Sequence, residues 1–254
     1  MQGVTRNPLA DPGLLGLTAG AYVALTIAIA FIPSVNYLGI TIACFIGAAL
    51  GTMMVIGFST IKKSESSHLR IVLAGSAVSA FLYAIAEGIG IYFKVSKNVS
   101  MWTSGGMIGT TWTQLQIIIP IIVIGITVSL FLSRPLTILS LSEEIAVGLG
   151  QNTVQLKAIL YTVTIVLAGS AVALVGNMAF LGLMVPHIIR ALVGTDYRYI
   201  LPMSAILGAS IMLFADTLGR TINAPYETPV IAIVAVLGIP FFLIIVRRGG
   251  KTLS

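Results

Sequence analysis

Charge and cysteine are what this sequence has least of. Asp, Glu, Lys and Arg make up only 9% of its 254 residues, against about a quarter in a soluble domain. It therefore cannot clothe the water-facing surface of a cytosolic enzyme. The single cysteine, Cys44, lies inside an apolar run, which excludes a disulfide framework and a cysteine-based metal centre. The two histidines, His68 and His187, are isolated from each other and form no metal-binding pair. Neither a His-Glu-x-x-His run nor a Gly-Asp dyad occurs, so an intramembrane hydrolase would lack its catalytic groups. Gly250-Lys251-Thr252 imitates the tail of a phosphate loop, but Ile245 stands where the earlier glycine is needed. Nucleotide hydrolysis is accordingly not expected of this chain.

What is abundant is apolar: 57% of residues are hydrophobic and the mean hydropathy is +1.04. A hydrocarbon core about 30 Å thick needs roughly 20 helical residues. Eight segments approach that length, at about 14–32, 37–61, 69–93, 114–133, 154–176, 178–192, 199–218 and 230–246. The pattern predicts an all-α, polytopic membrane helical bundle. The sixth segment is short and interrupted by Pro186, which predicts a broken or partly inserted helix. If the stretch before Leu14 is cytoplasmic, the inner side holds Arg6, Lys62, Lys63, Arg70, Arg134, Lys157, Arg190, Arg198, Arg247, Arg248 and Lys251. Lys94, Lys97 and Arg220 fall outside. The net charge of +6 is thus a topology signal, not a sign of nucleic-acid binding, and it places both ends in the cytoplasm.

Much of the glycine lies within these segments. Gly16 with Gly20, and Gly47 with Gly51, form small-xxx-small faces on which helix backbones can approach closely. The octet IVLAGSAV occurs at 71–78 and again at 165–172, consistent with a shared packing role or with coincidence in a restricted alphabet. Asn7 to Gly13, with Pro8, Asp11 and Pro12, is turn chemistry.

Residues 134–153 form the longest connection on the cytoplasmic side. Within it Ser142 is a suitable N-cap, Glu143 and Glu144 suit the positive end of a helix, and Gly150 suits its stop. A helix of about two turns is expected, presenting Ile145, Ala146 and Leu149 as an apolar face. It reads either as a capped connector or as a docking helix for a cytoplasmic partner.

Four residues are candidates for lining a pathway or marking a helix break: Glu87, Pro186, His187 and Asp216. Carboxylates at membrane depth are costly and suggest function, here a proton relay or carboxylates satisfied at helix ends or in a cavity. Arg220, on the outer side, can pair with Asp216 four residues earlier or meet an acidic external partner. Glu227 borders the same loop.

Taken together, several ordered pieces resemble the permease subunits of binding-protein-dependent ABC importers for iron-siderophores, heme and cobalamin. They are Asn7 to Gly13 followed by Leu15, Gly16 and Gly20; Leu73-Ala74-Gly75; Trp102 with Gly105 and Gly106; Leu141 to Gly150; Gly182 to Arg190 with its Pro-His pair; and Ala215-Asp216 through Arg220 to Pro229. The resemblance implies one permease domain over 1–254, a translocation path between two permease subunits (identical or related), and two separate ATP-binding subunits. It also implies a substrate-delivering binding protein outside a bacterial or archaeal cell membrane. ATP is then the partner's cofactor and this chain holds none. Residues 142–150 resemble the family's coupling helix, with Glu143, Glu144, Ala146, Leu149 and Gly150 on the pattern; Ser142 replaces the usual Gly. Arg220 resembles the arginine that meets a carboxylate on the binding protein. The family has ten helices; its first, and most of its second, have no counterpart, so eight spans are expected here, from a reading frame started late, a fragment or a shortened form. Iron(III)-siderophore is the expected cargo, with heme or cobalamin as alternatives. An ion-coupled secondary transporter using Glu87 and Asp216 is the alternative of a different class.

Overall fold

The structure is a computed structural model that describes residues 1–7, 10–32, 35–60, 67–103, 107, 110–176, 178, 180–226 and 228–249. Every regular element among them is helical: α1 Gln2–Thr5, a 3-10 turn Pro12–Leu15, α2 Leu17–Phe31, α3 Tyr37–Thr60, α4 Ser67–Tyr92, α5 Ser96–Thr103, α6 Trp112–Phe131, α7 Ser133–Leu141, α8 Glu143–Gly148, α9 Thr153–Val175, α10 Leu181–Val193, α11 Tyr197–Thr221 and α12 Val230–Gly249. Five carry windows long and apolar enough to cross a membrane: α3, α4, α6, α9 and α11. Shorter apolar stretches at Leu17–Phe31, Leu181–Val193 and Val230–Pro240 accompany them.

The glycine faces meet as their spacing predicts. A Cβ placed on Gly20 would strike the Gly47 carbonyl oxygen, and one on Gly51 would strike that of Gly16. The backbones of α2 and α3 thus lie against each other, and dispersion between them replaces the hydrophobic drive that lipid does not supply. Gly16 also needs its freedom for another reason: at φ 71° it turns the chain from the 3-10 turn into α2.

Both copies of the repeated octet, on α4 and α9, pack onto this α2–α3 pair. Ala74 and Val78 of the first copy and the corresponding Ala168 and Val172 of the second touch one core, around Leu25, Cys44 and Ala48. Gly169 faces the ring of Phe45 on α3. The repetition therefore serves a common packing role. Buried hydroxyls in the bundle return to their own helix, Thr26 to the Tyr22 carbonyl, Thr41 to Tyr37 and Thr52 to Ala48. No water need be carried into the core to satisfy them. On the opposite side of α3, Ile42, Ile46, Leu50 and Met53 make an exposed apolar stripe suited to hydrocarbon or to another membrane subunit.

A second core lies at one end of the bundle. Val4, Leu136, Leu139, Ala146, Leu156, Leu160, Ile189, Tyr197 and Ile200 gather α1, α7, α8, α9, α10 and α11 there. Residues 134–141, expected as part of a connection, are helical: α7 continues from α6 after a turn at Leu132 and turns its apolar side, Leu136 and Leu139, into this core. At α11 the N-cap is Asp196, whose carboxylate accepts from the Arg198 amide at 2.9 Å and the Thr137 hydroxyl at 3.2 Å. The same hydroxyl oxygen accepts from the Tyr197 amide at 3.0 Å, tying α7 to α11.

Candidate functional site

Helix α8 is a short ledge defined by its caps. Ser142 Oγ accepts from the Ile145 amide at 3.0 Å, and Glu143 and Glu144 occupy the first turn. At the other end the Gln151 amide donates to the Ala146 carbonyl and the Gly150 amide to that of Val147, both at 2.9 Å. With Gly150 at φ 78° this is a Schellman stop. Asn152 then caps α9 through the Gln155 amide at 3.1 Å. The sequence reading of Ser142 and Gly150 holds.

The faces of the ledge differ from expectation. Ala146 is not on the outer face; it is fully buried beneath α8. It is the smallest apolar side chain of the helix, which lets α8 lie close on the second core. Glu143 is also turned to its own chain, its Oε1 lying 2.6 Å from Lys157 Nζ on α9. That hydrogen bond, partly opposed by desolvation, draws the Glu143 carboxyl below its usual range. Ile145, Val147 and Leu149 are exposed, as is Glu144. The outward surface is therefore apolar with one carboxylate, and it stands on a buried alanine and an ion pair.

Pro186 does not break α10, which runs continuously from Leu181 to Val193. Its missing amide frees the Gly182 carbonyl one turn back, and Gln2 Nε2 donates to that oxygen at 3.3 Å. The Gln2 Oε1 in turn accepts from Arg190 of the same helix. One side chain from α1 thus repairs the proline defect and fixes α10. The discontinuity sits instead before the helix, where Phe180 takes φ 68° and its ring packs on Gly238 of α12. With 13 residues α10 is about 20 Å long, short of the hydrocarbon thickness. His187 lies half-buried next to Pro186.

The two carboxylates of the bundle have separate partners. Asp216, 7% exposed, accepts from Arg220 Nε at 2.8 Å and from the Met107 amide at 3.1 Å, so it joins α11 to the loop after α5. The pairing of Arg220 with Asp216 is the helical one foreseen from the spacing, and the arginine side chain is still 46% exposed. Glu227, Gly105 and Gly106 lie outside the described residues. Glu87 is exposed on α4 and accepts from the Tyr22 hydroxyl at 2.8 Å. It borders a cavity of about 280 Å³ walled by Tyr22, Tyr83, Trp102, Thr103 and Ile231 among others. None of Pro186, His187 and Asp216 lines that cavity. Asp216 is thus satisfied by its own partners, and Glu87 lines the cavity.

Residues 1–248 match the FecCD transport family. The chain belongs to that family. Among proteins similar to this FecCD chain, the iron(3+)-hydroxamate import system permease protein FhuB of Bacillus subtilis (strain 168) is 42% identical over 248 residues, covering 98% of this chain and 65% of FhuB. The iron-uptake system permease protein FeuB of the same organism is 36% identical over 250 residues, 98% of this chain and 75% of FeuB. A solved metal-chelate-type ABC transporter in an inward-facing conformation superposes with a TM-score of 0.86 at 27% identity, over 97% of this chain and 79% of that one.

The Gln2 clasp and the helix α5 beside the cavity were missed by sequence reasoning. A signal for the clasp existed: a proline six residues into a helix always leaves a carbonyl to be satisfied, although nothing in the sequence pointed to Gln2. For α5, the run Ser96 to Thr103 has no apolar length of its own, and only its tertiary setting, with Val99 buried and Trp102 stacked on Tyr37, holds it.

Proposed function

We propose that this chain is the permease of a binding-protein-dependent ABC importer for an iron(III) chelate in the cytoplasmic membrane of a prokaryote. It pairs with a second permease subunit around a central path. Two separate ATP-binding subunits sit on its cytoplasmic side and carry the only covalent chemistry. An external binding protein delivers the cargo, with Arg220 meeting one of its carboxylates while Asp216 holds the other edge of the guanidinium.

The single observation that carries this reading is α8. A six-residue helix capped at both ends, anchored by Ala146 and by Glu143 with Lys157, and offering Ile145, Val147, Leu149 and Glu144 outward, is built to receive force. Closure of the ATPases would push this ledge, and the second core would pass the displacement to α7, α9 and α11 as a rigid-body tilt. The similarity to metal-chelate and iron-uptake permeases supports the cargo class.

The test is reversal of the outward face alone. Glu144→Lys with Val147→Asp should abolish co-purification of the ATPase subunits and chelate-stimulated ATP turnover, while the bundle keeps its thermal transition. Unchanged ATPase association and turnover in that variant would show that α8 is not the coupling surface.

A further inference from the structure

The Glu87 cavity has a shape, a stiffness and a charge that point to a ligand. It is bounded by α2, α4, α5, α9 and α12, so it is not a groove on one helix. Its aromatic wall is braced: the Tyr22 and Tyr83 rings lie 5.4 Å apart at 56°, and Tyr37 stacks behind Trp102 at 5.9 Å and 22°. Tyr22 donates its hydroxyl to one Glu87 oxygen at 2.8 Å, which fixes the position of the carboxyl group. Glu87 is nonetheless exposed, about one and a half turns from the end of the span Leu73–Tyr92. An exposed carboxylate on a membrane helix does not face hydrocarbon, so this side of α4 fronts water or another protein, and the cavity opens there. At about 280 Å³ the space falls just under the ~300–1,000 Å³ that drug-sized ligands fill. It takes one arm of a larger molecule, not the whole.

We propose that the Glu87 cavity contacts the passing chelate and selects it by charge, accepting an arm of a neutral or cationic iron(III) complex and disfavouring polyanionic ones. This rests on the reading of the chain as an iron-chelate permease. The chemistry separates the candidates. Hydroxamates each lose one proton on binding iron(III), so a tris-hydroxamate complex carries no net charge, or a positive one when its backbone bears an ammonium. Catecholates each lose two, and citrate leaves carboxylates over, so those complexes are polyanions. A carboxylate held at the rim of the cavity repels the second kind and attracts an ammonium of the first. The aromatic faces of Tyr22, Tyr83 and Trp102 suit the methylene and ammonium parts of a hydroxamate arm.

Trp102 provides the readout. The chain has two tryptophans, so Trp112→Phe leaves Trp102 alone to report, and bound iron quenches it. The full chain in lipid nanodiscs is titrated with an ammonium-bearing iron(III) tris-hydroxamate and with an iron(III) tris-catecholate. The expected result is saturable quenching by the first and none by the second. Glu87→Gln should weaken the first on the order of tenfold and allow the second to bind, whereas Glu87→Asp should keep the discrimination. Equal affinities for both complexes, with no change in Glu87→Gln, would overturn charge selection. No saturable quenching by the hydroxamate, while the assembled importer takes the same complex up with ATP, would overturn the cavity as a contact site and leave the transport reading standing. Loss of that uptake in the unaltered importer would instead refute the transport reading.

Discussion

Removing both caps of α8 should unlatch the ledge by an amount that can be worked from its geometry. Ser142→Ala deletes the oxygen that holds the Ile145 amide, a loss of about 1 kcal/mol. Gly150→Ala puts a Cβ on a residue at φ 78°, which costs at least about 1 kcal/mol. The two sites lie at opposite ends of the helix and share no partner, so their effects add. Together they give about 2 kcal/mol, a shift of ~30-fold toward the melted ledge, since 1.4 kcal/mol is tenfold. Amide hydrogen exchange across 145–151 should show that loss of protection, because the amides of Ala146, Leu149, Gly150 and Gln151 are bonded within the motif. Ser142→Gly should cost only a few tenths of a kcal/mol, leaving exchange within about twofold of the parent. Chelate-stimulated ATP turnover should fall in the double variant and survive in Ser142→Gly. Unchanged protection in the double variant would mean that the caps contribute nothing beyond the Ala146 and Glu143 anchors.

Other perturbations follow from the packing. Gly47→Leu drives a side chain into the α2 backbone at Gly20 and the methyl group of Ala24 and should lower stability by about 1–3 kcal/mol, seen as a lower thermal midpoint in detergent. Gly88→Ala, in the last turns of α4 with nothing within 4 Å of the added Cβ, should raise that midpoint by removing about 0.5–1 kcal/mol of helix penalty; a drop would contradict the open space described. Gln2→Leu leaves the Gly182 carbonyl without its donor at a cost of about 1–3 kcal/mol. Pro186→Ala restores an amide there, so the Gln2→Leu loss should shrink in the Pro186→Ala background; equal losses in both backgrounds would mean the clasp does not repair the proline. Asp196 is held at about 2, below its ordinary 3.8, chiefly by the Arg198 guanidinium and then by the Arg198 amide. A lowered acid contributes stability above its unfolded pKa and loses it as pH falls through the folded one. Exchange protection at the start of α11 should therefore persist at pH 4 and vanish toward pH 2, and Asp196→Asn should flatten that dependence.

How far the sequence spoke depended on whether a feature was local. Ser142, Gly150 and the Asp216–Arg220 pair rest on spacings of a few residues, and each was legible because caps and helix-face pairs are nearest-neighbour physics. The facing of Gly16 and Gly20 with Gly47 and Gly51 was legible in kind, since small-residue faces seek close partners, though not which partner. The side of α8 that Ala146 occupies was misread: a helix of six residues has too few turns for periodicity to fix its buried face, and the second core chose the smallest side chain. Pro186 was read as a break because the rule counts the missing amide; the structure supplies a substitute donor from Gln2, far away in sequence. The Glu87 cavity draws on five helices and has no linear signature at all.

The proposed function requires that this bundle have no power of its own and be moved through α8 by ATP-binding partners. It is tested most directly by uptake of an iron(III) tris-hydroxamate into proteoliposomes, with the chain alone and with its co-expressed ATPases and binding protein. Uptake is expected only in the complete assembly, dependent on ATP, insensitive to an uncoupler, and lost in the Glu144→Lys, Val147→Asp variant. Uptake by the chain alone, or uptake that follows a proton gradient in the absence of ATP, would contradict it.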